Sequence, residues 1–123
     1  MKLGPLWLKI QIACGDALAM GPGKADLLEA IITEGSISGA GRALGMSYRR
    51  AWLLVDEMNR CFDPVLVETL KGGGRERGAK VSATGLEVLE AYREMERDAI
   101  KVADRAGYAR LSAHLRAVPL TDA

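Results

Sequence analysis

The chain has 123 residues, a length that suits one domain with a core of its own. Its 49% apolar and 27% charged residues exclude a disordered tail, and no apolar run approaches the ~20 residues that a membrane helix requires. A formal net charge of +1 excludes binding of nucleic acid by bulk charge, so the placement of the charges has to decide.

Near the N-terminus, Leu6, Leu8, Ile10 and Ile12 alternate with Trp7, Lys9 and Gln11, a period of two that predicts a half-buried strand. Lys9 and Gln11 also interrupt the apolar run, so it is not the core of a signal peptide. Gly15-Asp16 offers a turn and residues 17–20 a returning strand, which together make an N-terminal β-hairpin. Past Gly21-Pro22-Gly23 the pattern is helical over residues 24–34. Leu27, Leu28, Ile31 and Ile32 form one apolar stripe there, and Gly35 is a suitable stop. Ser36 caps a second helix that carries Ile37, Ala40 and Leu44; Gly45 ends it and Met46 plugs the bend.

Ser47 caps the third helix, whose buried stripe is expected at Ala51, Leu54, Val55, Met58 and Phe62. Asp63-Pro64 breaks it. Residues 65–70 and 79–82 read as short strands on either side of a glycine-rich basic loop. Thr84 with Glu87 makes a capping box for a long helix over residues 84–106. Its positions Val88, Tyr92, Met95, Ala99, Val102 and Ala106 step by four and three, a coiled-coil-like seam of about two and a half heptads. After Gly107 the tail is expected to form one short helix or to fray.

Basic charge collects in two places. Residues 36–61 hold Arg42, Arg49, Arg50 and Arg60 against Asp56 and Glu57, a net +2, and residues 71–80 hold four cations against Glu76, a net +3. Residues 86–98 hold five acids against two arginines, a net −3. Glycine at a bend between helices, with polar and basic residues opening the second, is what a helix-turn-helix needs to enter the major groove of DNA. Ser47, Tyr48, Arg49 and Arg50 stand at that opening, where Arg can bind guanine bidentately and Ser and Tyr can reach phosphates. Ser36, Ser38 and Arg42 are expected beside the backbone. Lys71, Gly73, Arg75, Arg77 and Lys80 would form a wing over flanking phosphates.

The glycine run is not a phosphate cradle of the P-loop or dinucleotide type, because no helix follows it directly. An amphipathic helix with a solvated basic face, followed by a plain hairpin loop, would show the same local patterns; the order of elements favours the wing. Trp52 is expected to pack at the flank of the third helix. The seam Val88, Tyr92, Met95, Ala99 and Val102 is expected to form a homodimer interface, the alternative being packing on the chain's own core. His114 is the single histidine, and Cys14 and Cys61 lack ligand spacing, so neither a metal site nor a catalytic constellation is expected. Two reduced, partly buried thiols suit a cytosolic protein.

These elements make one architecture, mainly α with small β elements. It is a winged helix-turn-helix over residues 1–107 with an N-terminal hairpin and a long dimerisation helix, followed by a tail over 108–123. The run GPGKADLLEAIITEGSISGAGRALGMSYRRAWLLVDEMNRCF, with Gly72-Gly73-Gly74 and ATGLEVLEAY after it, closely resembles the N-terminal domain of ModE-type, molybdate-responsive transcriptional regulators. It is also distantly similar to the winged helix of LysR-type regulators. Ser47-Tyr48, Ala51-Trp52, Glu57-Met58-Asn59 and Thr84-Gly85 are the most specific part of a match that covers roughly residues 7–106.

The resemblance implies a dimeric winged helix whose third helix and wing contact operator DNA and whose fourth helix helps to form the dimer. With a sequence that runs to Ala123, the expectation is a stand-alone form without the molybdate-binding C-terminal domain of the full-length regulators. DNA binding is therefore carried over, whereas no cofactor is assigned; molybdate is expected only through a partner or an unrecognised site. The expected protein is a cytoplasmic, non-enzymatic transcription regulator that binds double-stranded DNA as a homodimer, away from membranes. A protein-interaction module on the same scaffold is the rival.

Overall fold

The computed structural model describes residues 2–3, 6–70 and 78–121. Strands β1 (Lys2–Leu3) and β2 (Leu6–Trp7) pair antiparallel. The strand expected to run on to Ile12 is interrupted, because residues 8–11 join no ladder. Pairing resumes with β3 (Ile12–Cys14), which meets β4 (Ala17–Met20) across the Gly15-Asp16 turn as expected. Between the two ladders the backbone has another partner: the Tyr92 hydroxyl donates to the Ile10 carbonyl at 2.8 Å.

Helix α1 (Pro22–Glu34) starts two residues before the expected Lys24, since proline in the first turn lacks only an N–H that would be unpaired anyway. Leu27, Leu28 and Ile31 are fully buried, while Ile32 turns to solvent and leaves the expected stripe. Ser36 caps α2 (Ile37–Ala43), its Oγ accepting the Gly39 N–H at 2.9 Å. The bend that follows needs a left-handed residue, and Gly45 supplies it at φ +70° without the penalty of a Cβ. Met46 then packs on the core, and its N–H closes the bend on the Gly41 carbonyl at 2.9 Å. Ser47 caps α3 (Tyr48–Cys61) by accepting the Arg50 N–H at 3.1 Å. Ala51, Val55 and Met58 are buried and Leu54 and Phe62 pack against them, as helical spacing requires.

Strands β5 (Val67–Thr69) and β6 (Ala79–Val81) pair antiparallel with Val67 opposite Val81, the base of the expected wing. The Ala79 N–H reaches the Gly35 carbonyl at 2.9 Å, which hooks β6 onto the end of α1. Helix α4 (Ala83–Ala99) opens one residue early, and Ser82 rather than Thr84 is its cap. The Ser82 Oγ accepts the Gly85 N–H at 3.0 Å and donates to the Val65 carbonyl at 2.7 Å. One hydroxyl thereby satisfies two backbone groups, one of them in the segment that leads into β5. The long helix is also divided. After Ala99 the chain tightens into a 3-10 helix (Ile100–Asp104) and then forms α5 (Ala106–Ser112).

Burial of Met20, Leu27, Leu28, Ile31, Met58 and Leu66 places the core where α1, α2, α3, β4 and the wing strands converge, with Leu89 and Tyr92 of α4 closing it. Arg93 fastens α4 to α1 through Asp26 at 2.8 Å and Glu29 at 2.7 Å, and also meets Glu96 of its own helix at 2.7 Å. Partial burial works against its charge, but those three carboxylates hold it firmly protonated.

Candidate nucleic-acid interface

Close approach of α2 to α3 sets the geometry of the candidate site. A Cβ on Gly41 would stand 3.3 Å from the Ala51 Cβ and 3.3 Å from the Met46 carbonyl, so only small residues fit this crossing. With one face of α3 spent on the core, the first turn presents Ser47, Arg49 and Arg50 to solvent. Other cations nearby are engaged. Lys24, 4% exposed, meets Glu57 at 2.6 Å; Arg60 meets Asp56 at 3.1 Å one turn back along α3. Among the described residues, Arg49 and Arg50 have no ionic partner. The Lys24 hydrogen bond holds the Glu57 carboxyl below the ordinary carboxylate range, against an opposing effect of its partial burial.

The expected contact residues divide. Tyr48 is half-buried and packs on the core. Ser36 is half-buried at the α2 cap, its oxygen occupied by Gly39 but its hydroxyl hydrogen still able to donate. Ser38 leaves the set: it is 6% exposed, and its Oγ accepts from Arg42 Nη1 at 2.8 Å. It steadies an exposed arginine and offers no surface of its own. Lys80 is exposed on β6, directly across from Glu68, which tempers its charge. Lys71, Gly73, Arg75 and Arg77 lie outside the described residues.

Trp52, expected to pack at the flank of α3, is 44% exposed, and its neighbour Leu53 is 46% exposed. Other residues hold the interface in place without having been given a role from the sequence. Asn59 joins the wing to α3. Its Oδ1 accepts the Leu66 and Val67 N–H groups at 2.9 and 3.1 Å, and its Nδ2 donates to the Val67 carbonyl at 2.9 Å. Gly85 lets α4 lie on β5 and β6: a Cβ would come 2.4 Å from the Leu66 carbonyl oxygen and 2.6 Å from Val81 Cγ1. Asn59 and Gly85 fall within the most specific part of the family resemblance, but helical spacing alone assigns them no role, because the contacts that use them lie outside their own helices.

Of the expected seam, Met95 and Val102 are exposed and Val88 and Ala99 half-buried. Tyr92 is corrected to a core residue, buried with its hydroxyl on Ile10 and its ionisation pushed up by that burial. Between the β3–β4 hairpin and α4 lies an apolar cleft of about 240 Å³ lined by Ile12, Met20, Phe62, Val88, Tyr92 and Met95. Cys14 and Cys61 are both free thiols and lie close to one another despite their separation in sequence. Cys14 is exposed rather than partly buried, and burial together with the Cys14 thiol pushes Cys61 up. Among the described residues no helix is long and apolar enough to cross a membrane.

No protein-family model matches the chain. Molybdenum-pterin-binding protein MopA of Rhodobacter capsulatus is 34% identical over 96 residues, which is 78% of this chain and 36% of that protein. The DNA-binding transcriptional dual regulator ModE of Escherichia coli K12 is 34% identical over 87 residues, 71% of this chain and 32% of its own length. The chain thus spans about a third of the curated relatives it matches. Among solved structures, the full-length LysR-type regulator LysG of Corynebacterium glutamicum is similar at 30% identity over 80% of this chain and 31% of that one. Its TM-score is 0.48, a loose superposition, and the fold described above rests on the order and packing of the elements.

Proposed function

Since the chain belongs with the ModE-type regulators through its winged helix-turn-helix domain, we propose that it binds double-stranded DNA sequence-specifically, as a homodimer that controls transcription. The observation that carries this reading is the first turn of α3. Arg49 and Arg50 stand exposed there without ionic partners among the described residues, while Lys24, Arg60 and Arg93 are all paired. Unpaired guanidinium groups beside a serine cap suit guanine edges and phosphate oxygens.

In this reading Arg49 and Arg50 meet base edges, and Ser47 and Arg42 meet the backbone. Lys80, with Lys71, Arg75 and Arg77 of the wing, neutralises flanking phosphates, and Gly73 lets the wing approach closely. The wing strands are anchored to α3 by Asn59, which ties β5 to that helix. The outward residues of the α4 seam, Met95 and Val102, with Val88 and Ala99, join two copies so that two half-sites are read at once. The names of the relatives connect them with molybdenum, and we extend that connection to the genes this chain controls rather than to a ligand site upon it. A protein that acts on chromosomal DNA in this way works in the cytoplasm.

Selection of duplexes from a random library at low salt tests the proposal. The expected result is a recurring motif of two half-sites, bound with an affinity that falls linearly in log–log form as salt rises. A library that yields no bound duplex overturns it and favours the protein-interaction module.

A further inference from the structure

Leu53 occupies an unusual place. At 100° per residue it projects about 40° from Arg49 and about 20° from Arg60, on the side of α3 opposite the buried Ala51, Val55 and Met58. The core has no use for it there, and it is 46% exposed. Single exposed leucines are common and need no explanation on an ordinary surface. On the face proposed to enter a groove the situation differs, because everything on that face is dehydrated when the duplex binds. Asp56 and Glu57, three and four residues further along, are the carboxylates beside it, and both are already engaged, by Arg60 at 3.1 Å and by Lys24 at 2.6 Å, so the patch around Leu53 carries little repulsion toward DNA.

In the major groove nearly every base-edge group is a hydrogen-bond donor or acceptor; the exception is the C5-methyl group of thymine. A leucine set against a G·C edge would bury polar groups without partners, whereas against thymine it buries methyl on methyl. Leu53 lies one helical turn, about 6 Å, beyond Arg49 along α3, so the two side chains address neighbouring base pairs. We infer that Leu53 is a specificity-determining residue that reads a thymine methyl in the operator, next to the base pair that Arg49 meets. This rests on the proposed DNA binding and deepens it. It predicts a half-site in which an arginine-read guanine has an A·T pair close by.

Uracil substitution isolates the effect, since deoxyuridine differs from thymidine by that methyl alone. With the full chain and a duplex obtained by selection, each thymine in turn is replaced by uracil and the affinity measured. The intact protein should lose about fourfold at one thymine per half-site, the equivalent of one buried methyl-sized group. Leu53→Ala should bind the unmodified duplex several-fold more weakly and show no further loss at that same position, while Leu53→Met should keep the uracil penalty. A duplex bound tightly with no uracil penalty anywhere, or with a penalty identical in Leu53→Ala, overturns the assignment of Leu53 and leaves the regulator reading intact. Failure to bind any duplex removes both. Loss of a protein complex on Leu53→Ala, with every DNA affinity unaltered, places the residue on a protein interface and overturns the assignment too.

Discussion

Lys24 carries its charge almost wholly into the interior and, among the described residues, answers to a single carboxylate, Glu57, on the helix that presents the arginines. Removing that partner leaves a buried cation unpaired, so Glu57→Gln should destabilise the fold by about 2–3 kcal/mol in urea unfolding. The sign of the pH dependence follows from the lowered Glu57 pKa. Its contribution is present above the ordinary value of 4.5 and is lost as pH falls through the depressed folded value. Unfolding followed from about pH 6 to about pH 3 should therefore show an acid-limb slope that Glu57→Gln flattens. On the outer face, Arg49→Ala or Arg50→Ala should cost roughly 1–3 kcal/mol of operator binding and relax preference at one base. Arg75→Ala in the wing should instead weaken all duplexes alike and lower the salt slope by about one unit. Competition titrations across a salt series separate the two kinds of residue. The exposed arginines were legible from helical spacing, but the burial of Lys24 was not, since its carboxylate is brought up from another helix.

Caps and stops made most helix boundaries readable: Ser36, Ser47, Gly35 and Gly45 each act where local chemistry places them. The start of α4 was not readable to the residue, because Ser82 and Thr84 both offer a hydroxyl. The choice falls to Ser82 through the Val65 carbonyl, which only the folded wing brings near. That same junction is sensitive to volume. Gly85→Ala should cost about 2–3 kcal/mol or more, because the new methyl meets backbone, the Leu66 carbonyl, rather than a yielding side chain. Thermal unfolding checks it. Asn59→Ala should leave the helices in place but free the Leu66 and Val67 amides, which should then exchange hydrogen markedly faster than the amides of α1.

Beyond one protomer, the seam of α4 and the following 3-10 turn is the surface on which assembly depends in the proposed function. Met95→Glu together with Val102→Glu should shift sedimentation from dimer to monomer with little change in thermal stability, since both side chains already face water. A native protein that sediments as a monomer would remove the dimer. Helical and alternating periodicities, glycine stops and serine caps sufficed to define the winged helix-turn-helix and its arginine-bearing first turn, because each is enforced by neighbours within a few residues. Folding in three dimensions had to settle the rest: Tyr92 turned inward onto Ile10, Lys24 buried against Glu57, Cys14 beside Cys61, and the wing strands tied down by Asn59. Each of these depends on a partner in another part of the fold, and a surface is defined by what the rest of the chain leaves uncovered.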